Sequence, residues 1–432
     1  MSTHRRTPFL SLRFLGLLAS LCGASLSSAA WAVNFETPAP YAVLMDAETG
    51  AVIYEKNAEE EMHPSSLTKL MTLYVLFDQL KKGALKLDDT FIVSEAAWRM
   101  GGSKMFVKVS DRVKVEDLIQ GIAVQSGNDA CMVVAEGVAS TEAAFAEIMN
   151  AEAKRLGMTQ SHFLNASGWP QEDHLMSAMD IAVLTRHIVT DFPEYYRYFA
   201  EKEFTYNGIT QHNRNRLLFR DVGADGLKTG HTEDGGYGLA ASAEQNGRRL
   251  IAVVNGLPSD NARTDEAEKM LQYGFRYFSN VTLFPADKPI DSLPVWLGDV
   301  SETGLYLKKP VRAVVPREGK ALVRSAAVIY DSPLRAPIPK DAQIATLKLV
   351  DSSGKASFFP LFAAEEIREA SLGMRILKRM NFYVRTTLLA KKPEKDAISD
   401  RSAPSAKKPA ATTSNAPNPA PLKAPVSEAP SE

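Results

Sequence analysis

Hydrophobic positions along this chain follow different rhythms in different stretches, and the changes of rhythm divide it. Two apolar runs, Tyr41–Met45 and Ala51–Tyr54, flank the turn-forming stretch Asp46–Gly50 and predict a β-hairpin. Apolar residues then recur at three- and four-residue intervals over Ser66–Lys81, Val115–Ala139, Glu142–Leu156 and Ala178–Thr190, the spacing of buried helix faces. Two strand-like runs, Gly238–Ala243 and Arg249–Asn255, lie on either side of Asn246-Gly247, and a helical pattern from Thr264 to Phe278 closes the region. Hairpin, helices, strands and a last helix predict a mixed α/β (α+β) domain over residues 33–288, with one antiparallel sheet sandwiched between helices. Residues 289–364 change character. Short runs such as Val311–Val315, Ala326–Tyr330 and Ile344–Val350, cut by Pro and Gly, predict a small all-β domain.

The ends of the chain read differently again. A helix is predicted over 365–392. On its wheel Tyr383, Ile376, Met380, Val384, Leu377 and Leu388 fill an arc of about 160°, with Arg375, Lys378, Arg379 and Arg385 opposite. A basic amphipathic helix suits an anionic membrane surface, and packing on the β domain is the alternative. Residues 393–432 hold 8 of the 24 prolines and no aromatic residue, so this tail is expected to be disordered. Residues 1–32 carry Arg5, Arg6 and Arg13, then the apolar run Phe14–Cys22, then small residues ending Ala30-Trp31-Ala32. That order is a secretory signal peptide, and it predicts an exported protein held peripherally on the periplasmic side of the cytoplasmic membrane.

Composition narrows the function. With 432 residues, 45% hydrophobic and 23% charged, the chain has the make-up of a folded globular protein of two or three domains. Fifty basic residues balance 51 acidic ones, which argues against a nucleic-acid partner. Two cysteines, Cys22 and Cys131, exclude a disulfide scaffold. No H-E-x-x-H, G-x-x-x-x-G-K-[ST] or G-x-S-x-G occurs, and the seven histidines lack metal-ligand spacing, so neither metal nor cofactor is expected.

Three short elements carry candidate chemistry. In Ser66-Leu-Thr-Lys69 a three-residue spacing puts both side chains on one helix face. A lysine kept neutral among other cations takes the proton from a serine hydroxyl and makes it a nucleophile. Ser66 alone also fits a helix cap, and the same spacing recurs at Ser352/Lys355 and Ser405/Lys408. Ser126-Gly-Asn128 interrupts an apolar helical stretch, either to face a cleft or as a satisfied buried turn. Lys228-Thr-Gly230 leads into a Gly-rich run. Lys and Thr on an edge strand, beside a Gly that admits a ligand backbone, suit an extended chain ending in a carboxylate; an ordinary strand turn is the other reading.

In the order S-x-x-K, S-x-N, K-T-G, these elements resemble the penicillin-binding protein and serine β-lactamase superfamily. Pro64–Thr72, Ser126–Cys131, Asn213-Arg-Asn215 and Asp225–Thr232 are similar to the blocks of its low-molecular-weight D-alanyl-D-alanine carboxypeptidases. The resemblance implies that Ser66 is acylated, Lys69 is its base and Ser126 relays protons. It further implies that Asn128 holds the substrate amide, and that Lys228 supports the Ser126 proton relay and, with Thr229, meets the terminal carboxylate. The backbone N–H groups of Ser66 and His231 would form an oxyanion hole around Gly230, with Arg214 and Arg263 near the carboxylate. Peptidoglycan stem peptides and β-lactams are the implied partners. β-Lactamase or DD-endopeptidase action and a non-enzymatic wall-binding scaffold are the rivals. The run Glu172–Leu175, followed by Met176, departs from the deacylating motif of class A β-lactamases.

Overall fold

A computed structural model describes residues 35–317, 323–351, 354 and 356–383, and divides the chain after Ser371 into two compact units. The leader 1–32 and the tail 393–432 lie outside the described residues. The frame of the first unit is a five-stranded sheet of β1 (Tyr41–Asp46), β2 (Val52–Lys56), β3 (Ala224–Thr232), β4 (Gly236–Gln245) and β5 (Arg248–Leu257). Its order is β2-β1-β5-β4-β3, antiparallel throughout, so β3 is an edge. Its longer helices are α1 (Lys69–Lys81), α2 (Val115–Ala123), α3 (Asn128–Ala139), α4 (Glu142–Leu156), α5 (Ala178–Asp191) and α6 (Asp260–Tyr277).

Both faces of the sheet are covered, as the apolar runs imply. Val43, Ile251, Val253 and Ala240 pack into one core with α1 and α5, while Leu44, Leu250, Ala252 and Val254 join Met270 and Leu271 of α6 in another. Alternate side chains therefore enter different cores, and neither face needs polar residues. Helix α1 is buried almost all round, from Lys69 to Phe77, as befits a central helix.

The structure bears out the antiparallel sheet between helices and the interruption expected at Ser126-Gly-Asn128: Val115–Ala139 is two helices, separated at Val124–Gly127. It departs from expectation in two places. Helix α6 starts at Asp260 instead of Thr264, because Ser259 caps it by accepting the Ala262 N–H at 3.1 Å. The C-terminal helix runs over Leu372–Tyr383; residues 365–371 are extended, with Ile367 bridged to Ile338 and Glu369 to Gly298. Val384 to Lys392 lie outside the described residues.

Beyond α6 the chain forms a six-stranded sheet containing Val323–Ile329 and Gln343–Asp351, and a separate pair, Phe278–Phe284 with Val311–Pro316. A buried charge sits where this pair leaves the main sheet. Asp46, wholly buried, receives Arg248 Nε at 3.0 Å and the Thr49 N–H and hydroxyl at 2.9 and 2.8 Å. Arg248 also binds Asn280 Oδ1, Gly274 O and Phe278 O, each at 2.9 Å. Asp46→Ala leaves the guanidinium without its counter-charge and should cost about 3–5 kcal/mol of stability, read as a shift of the urea midpoint. An unchanged midpoint would show the ion pair to be dispensable.

Candidate active site

Pro64 introduces a single 3-10 turn, Ser65–Thr68, which runs directly into α1. The turn leaves Ser66 half-exposed while Lys69, one turn on, is fully buried. The Lys69 amine donates to Ser66 Oγ at 3.0 Å, to Asn128 Oδ1 at 2.7 Å and to the Ser167 carbonyl at 2.6 Å. Burial pushes its pKa down to about 8. The Arg214 cation pushes the same way, against Cys131 and Asp129. A lysine with this pKa has a sizeable neutral fraction near neutral pH and points at a hydroxyl.

The Ser126-Gly-Asn128 element is the break between α2 and α3. Ser126 lies at φ 60°, and its hydroxyl is buried without a hydrogen-bond partner among the described residues. Asn128 donates Nδ2 to Gly101 O at 2.9 Å. Asp129 locks this corner: its carboxylate receives the N–H groups of Met105 and Phe106 at 2.8 Å, Ala130 at 2.9 Å and Val107 at 3.3 Å. One buried side chain thus supplies acceptors for a loop that has no ladder of its own.

The Lys228-Thr-Gly230 element lies in β3, on the sheet edge facing the Ser65–Thr68 turn. A Cβ at Gly230 would come within 2.3 Å of Ser65 Oγ and 3.1 Å of Pro64 O, so glycine permits this approach. Lys228 is buried and donates to Thr229 O at 3.1 Å. Burial, then Lys69, Arg214 and Arg263, hold its pKa well below the ordinary lysine value. Thr229 is also buried, while His231 is exposed, its ring 3.9 Å from that of Tyr237. At the start of β3, Asp225 takes a two-pronged ion pair from Arg249 at 2.6 and 2.7 Å and the Tyr196 hydroxyl at 2.8 Å.

The two arginines differ. Arg214 is exposed and reaches Ser103 Oγ at 2.6 Å. Arg263 is buried, with its donors on Gly230 O at 2.8 Å and Asp260 Oδ1 at 2.5 Å. It grips the backbone of β3 from behind.

Sequence reasoning missed the loop 165–169, which supplies the Ser167 carbonyl. Asn165 Oδ1 accepts the N–H groups of Ser167, Gly168 and Trp169 at 3.1, 2.8 and 3.0 Å. The loop is tied to α1 where Thr72 donates to Ala166 O at 2.6 Å. Gly168, at φ 77°, passes so close to Ser65 O that a Cβ would fall 1.8 Å away. Behind the turn, His174 Nδ1 accepts the Leu164 N–H at 3.2 Å, which leaves Nε2 to donate to Thr68 Oγ1 at 2.9 Å. Burial lowers the His174 pKa to about 4, so the ring is neutral. An Asn three residues before a Gly is the only local signal this loop offered.

Cavities of about 250 and 310 Å³ flank Trp169; Ser65 and Thr232, neighbours of the reacting groups, line the first. No group of three His, Cys, Asp or Glu side chains among the described residues is arranged to hold a metal ion. Serine, buried amine, side-chain amide and cationic edge strand are the kinds of group that acyl transfer uses.

Comparison with known proteins agrees. Residues 28–259 match the family described as D-alanyl-D-alanine carboxypeptidase, and residues 278–369 match the C-terminal domain of penicillin-binding protein 5. D-alanyl-D-alanine carboxypeptidase DacC of Escherichia coli (strain K12) is 38% identical over 341 residues, covering 77% of this chain and 85% of its own. DacA of the same organism is 36% identical over 382 residues, 85% of this chain and 95% of its own. Penicillin-binding protein 5 from Haemophilus influenzae superposes with a TM-score of 0.70 at 34% identity, over 78% of this chain and 99% of that one. Penicillin-binding protein D2 from Listeria monocytogenes, in its ampicillin-bound form, matches with a TM-score of 0.52 at 28% identity, over 56% of this chain and 99% of its own.

Proposed function

This chain belongs to the serine-type D-alanyl-D-alanine carboxypeptidases of the low-molecular-weight penicillin-binding proteins, and from that premise we propose that its chemistry runs through Ser66 and Lys69. The observation that carries the assignment is the 3.0 Å contact from a buried, pKa-depressed amine to a half-exposed hydroxyl. Neutral Lys69 takes the Ser66 proton as Oγ attacks the carbonyl carbon of the penultimate D-Ala in a peptidoglycan stem peptide. The backbone N–H groups of Ser66 and His231 receive the developing oxyanion. Breaking the C–N bond releases the terminal D-Ala, whose amine takes a proton delivered through Ser126. Water then hydrolyses the ester and restores both groups. Lys228 and Thr229 meet the terminal carboxylate, with Arg214 at the rim; Asn128 holds the acyl-side amide. Arg263 acts through β3 as a positioning residue. Glu172 is exposed and makes no hydrogen bond to Ser66 or Lys69 among the described residues, which speaks against a deacylating role like that of class A β-lactamases.

Export to the periplasmic side of the cytoplasmic membrane, with the last helix on its surface, completes the reading. In α7 (Leu372–Tyr383) Leu372, Ile376, Leu377 and Met380 are more than half exposed. No helix among the described residues is long and apolar enough to cross a membrane; the exposed apolar side chains of α7 support contact at the surface.

Three outcomes test this. Ser66→Ala should lose both covalent labelling by a fluorescent penicillin and release of D-Ala from a pentapeptide; labelling that persists would place the nucleophile elsewhere. The acylation rate of the native chain should rise with pH, reach half its plateau near pH 8 and drop about tenfold per unit below that, because the deprotonated amine is the active form. A flat profile from pH 6 to 9 would remove Lys69 from the role of base. The full chain should co-sediment with anionic phospholipid vesicles, and a chain ending at Ser371 should stay in the supernatant. Equal partition of the two would refute the surface contact.

A further inference from the structure

Two of the groups that meet the Lys69 amine lie on different segments: Ser66 Oγ on the turn Ser65–Thr68, and Ser167 O in the loop 165–169. The spacing of those segments decides whether one amine can serve both. Gly168 sets the near limit, because even without a side chain the loop is in contact with Ser65 O and Thr68 Oγ1. A limit of that kind prevents overlap but draws nothing together. Thr72, which donates to Ala166 O at 2.6 Å, ties the loop to α1 beyond Lys69 and leaves the turn itself unheld.

His174 reaches the turn. Its side chain is buried, and both ring nitrogens make directed bonds. Nδ1 meets the Leu164 N–H at 3.2 Å; a backbone N–H only donates, so the neutral ring carries its proton on Nε2 and gives it to Thr68 Oγ1 at 2.9 Å. Leu164 leads straight into the loop, and Thr68 directly precedes Lys69. The imidazole is therefore a rigid link with one end on each segment. Its own seat is fixed. The His174 N–H donates to Gln171 O at 3.1 Å, the ring stands edge-on to Phe163 with centroids 5.8 Å apart, and a bridge between His162 and Leu175 closes the neck of the loop. With its pKa lowered to about 4, first by burial and then by His162, His63 and Lys69, the ring keeps its one-donor, one-acceptor form wherever the Lys69 amine is partly neutral.

We propose that His174 is a positioning residue for acyl transfer, which through Thr68 holds the Ser66 turn at the spacing from the Ser167 loop that lets one amine reach both. It touches neither the substrate nor the reacting atoms. The inference deepens the reading above, in which Lys69 is the base for Ser66.

The test is a double-mutant cycle on the full chain, read by stopped-flow acylation with a fluorescent penicillin and by urea midpoints. His174→Phe keeps a ring and loses both bonds; Thr68→Val keeps the shape and loses the acceptor. Each should slow acylation at saturating penicillin about tenfold, the scale of one buried hydrogen bond, while the concentration giving half the maximal rate stays within about twofold. Because both changes remove the same link, the double variant should be about as slow as either single one, where independent effects would multiply to about a hundredfold. His174→Gln, which places an amide acceptor and donor side by side, should recover most of the rate. A lowered urea midpoint with a native acylation rate would make the bond merely structural and overturn the proposal. Multiplying effects in the double variant, or a Gln variant as slow as Phe, would overturn it as well. Labelling that vanishes in Ser66→Ala but runs at the native rate in His174→Phe sinks the link and leaves the reading of Ser66 standing.

Discussion

The site depends on keeping an amine out of water without leaving it charged or undirected. A fully buried ammonium is costly, and the cost falls only if acceptors surround it or the proton leaves. Here both operate. Three acceptors, Ser66 Oγ, Asn128 Oδ1 and Ser167 O, fix the direction of the protonated Lys69 amine. When burial and Arg214 press it to the neutral form, its two N–H groups suffice for Asn128 and Ser167 and its lone pair meets the Ser66 hydroxyl. These acceptors come from three separate stretches of chain. Bringing them together is the task the rest of the fold performs.

Two devices accomplish it. The first is polar side chains that gather backbone N–H groups: Asp129 holds the loop after Ser103, and Asn165 holds the loop around Ser167. Each gives an irregular segment the satisfied hydrogen bonding that a strand or helix has by construction. The second is missing side chains. Gly168 and Gly230 let two segments press against the Ser65 turn, one from each side, at separations no Cβ would tolerate. The groups of the candidate site thus stand at the starts of helices, on a loop and on an edge strand, and each of those segments is held by such contacts. Arg263 and the Asp225–Arg249 pair extend the same support to β3.

What was legible in the sequence follows from the kind of signal each residue leaves. Ser66 and Lys69 share a face because helix geometry converts spacing into proximity, and Lys228 was readable from the order Lys-Thr-Gly leading into a Gly-rich run. Ser167 was not readable. It contributes a backbone carbonyl, which every residue has, and only the folded loop shows which carbonyl is used. The start of α6 was misplaced because its first turn is polar, and hydrophobic periodicity sees a helix only where it is buried; the cap at Ser259 was the signal to weigh. The stretch 365–371 was absorbed into the last helix although Ile367 lies off its apolar arc; it is buried in a β-bridge with Ile338.

The position of the buried Asp46–Arg248 pair completes this logic. It lies on β1 and β5, where Phe278–Phe284 departs to pair with Val311–Pro316, and Arg312 adds a contact from that strand to Glu48 at 3.0 Å. Lys228 and Thr229 instead lie on β3, two strands from β5 across the sheet. Between them β4 is buried on both faces, a close-packed layer that resists displacement. The C-terminal strands thus meet the main sheet at a charged, multiply bonded junction that stands apart from the groove. A hydroxyl and an amine held at 3.0 Å require that separation, because a shift of a few tenths of an ångström at either partner weakens the contact on which proton transfer depends.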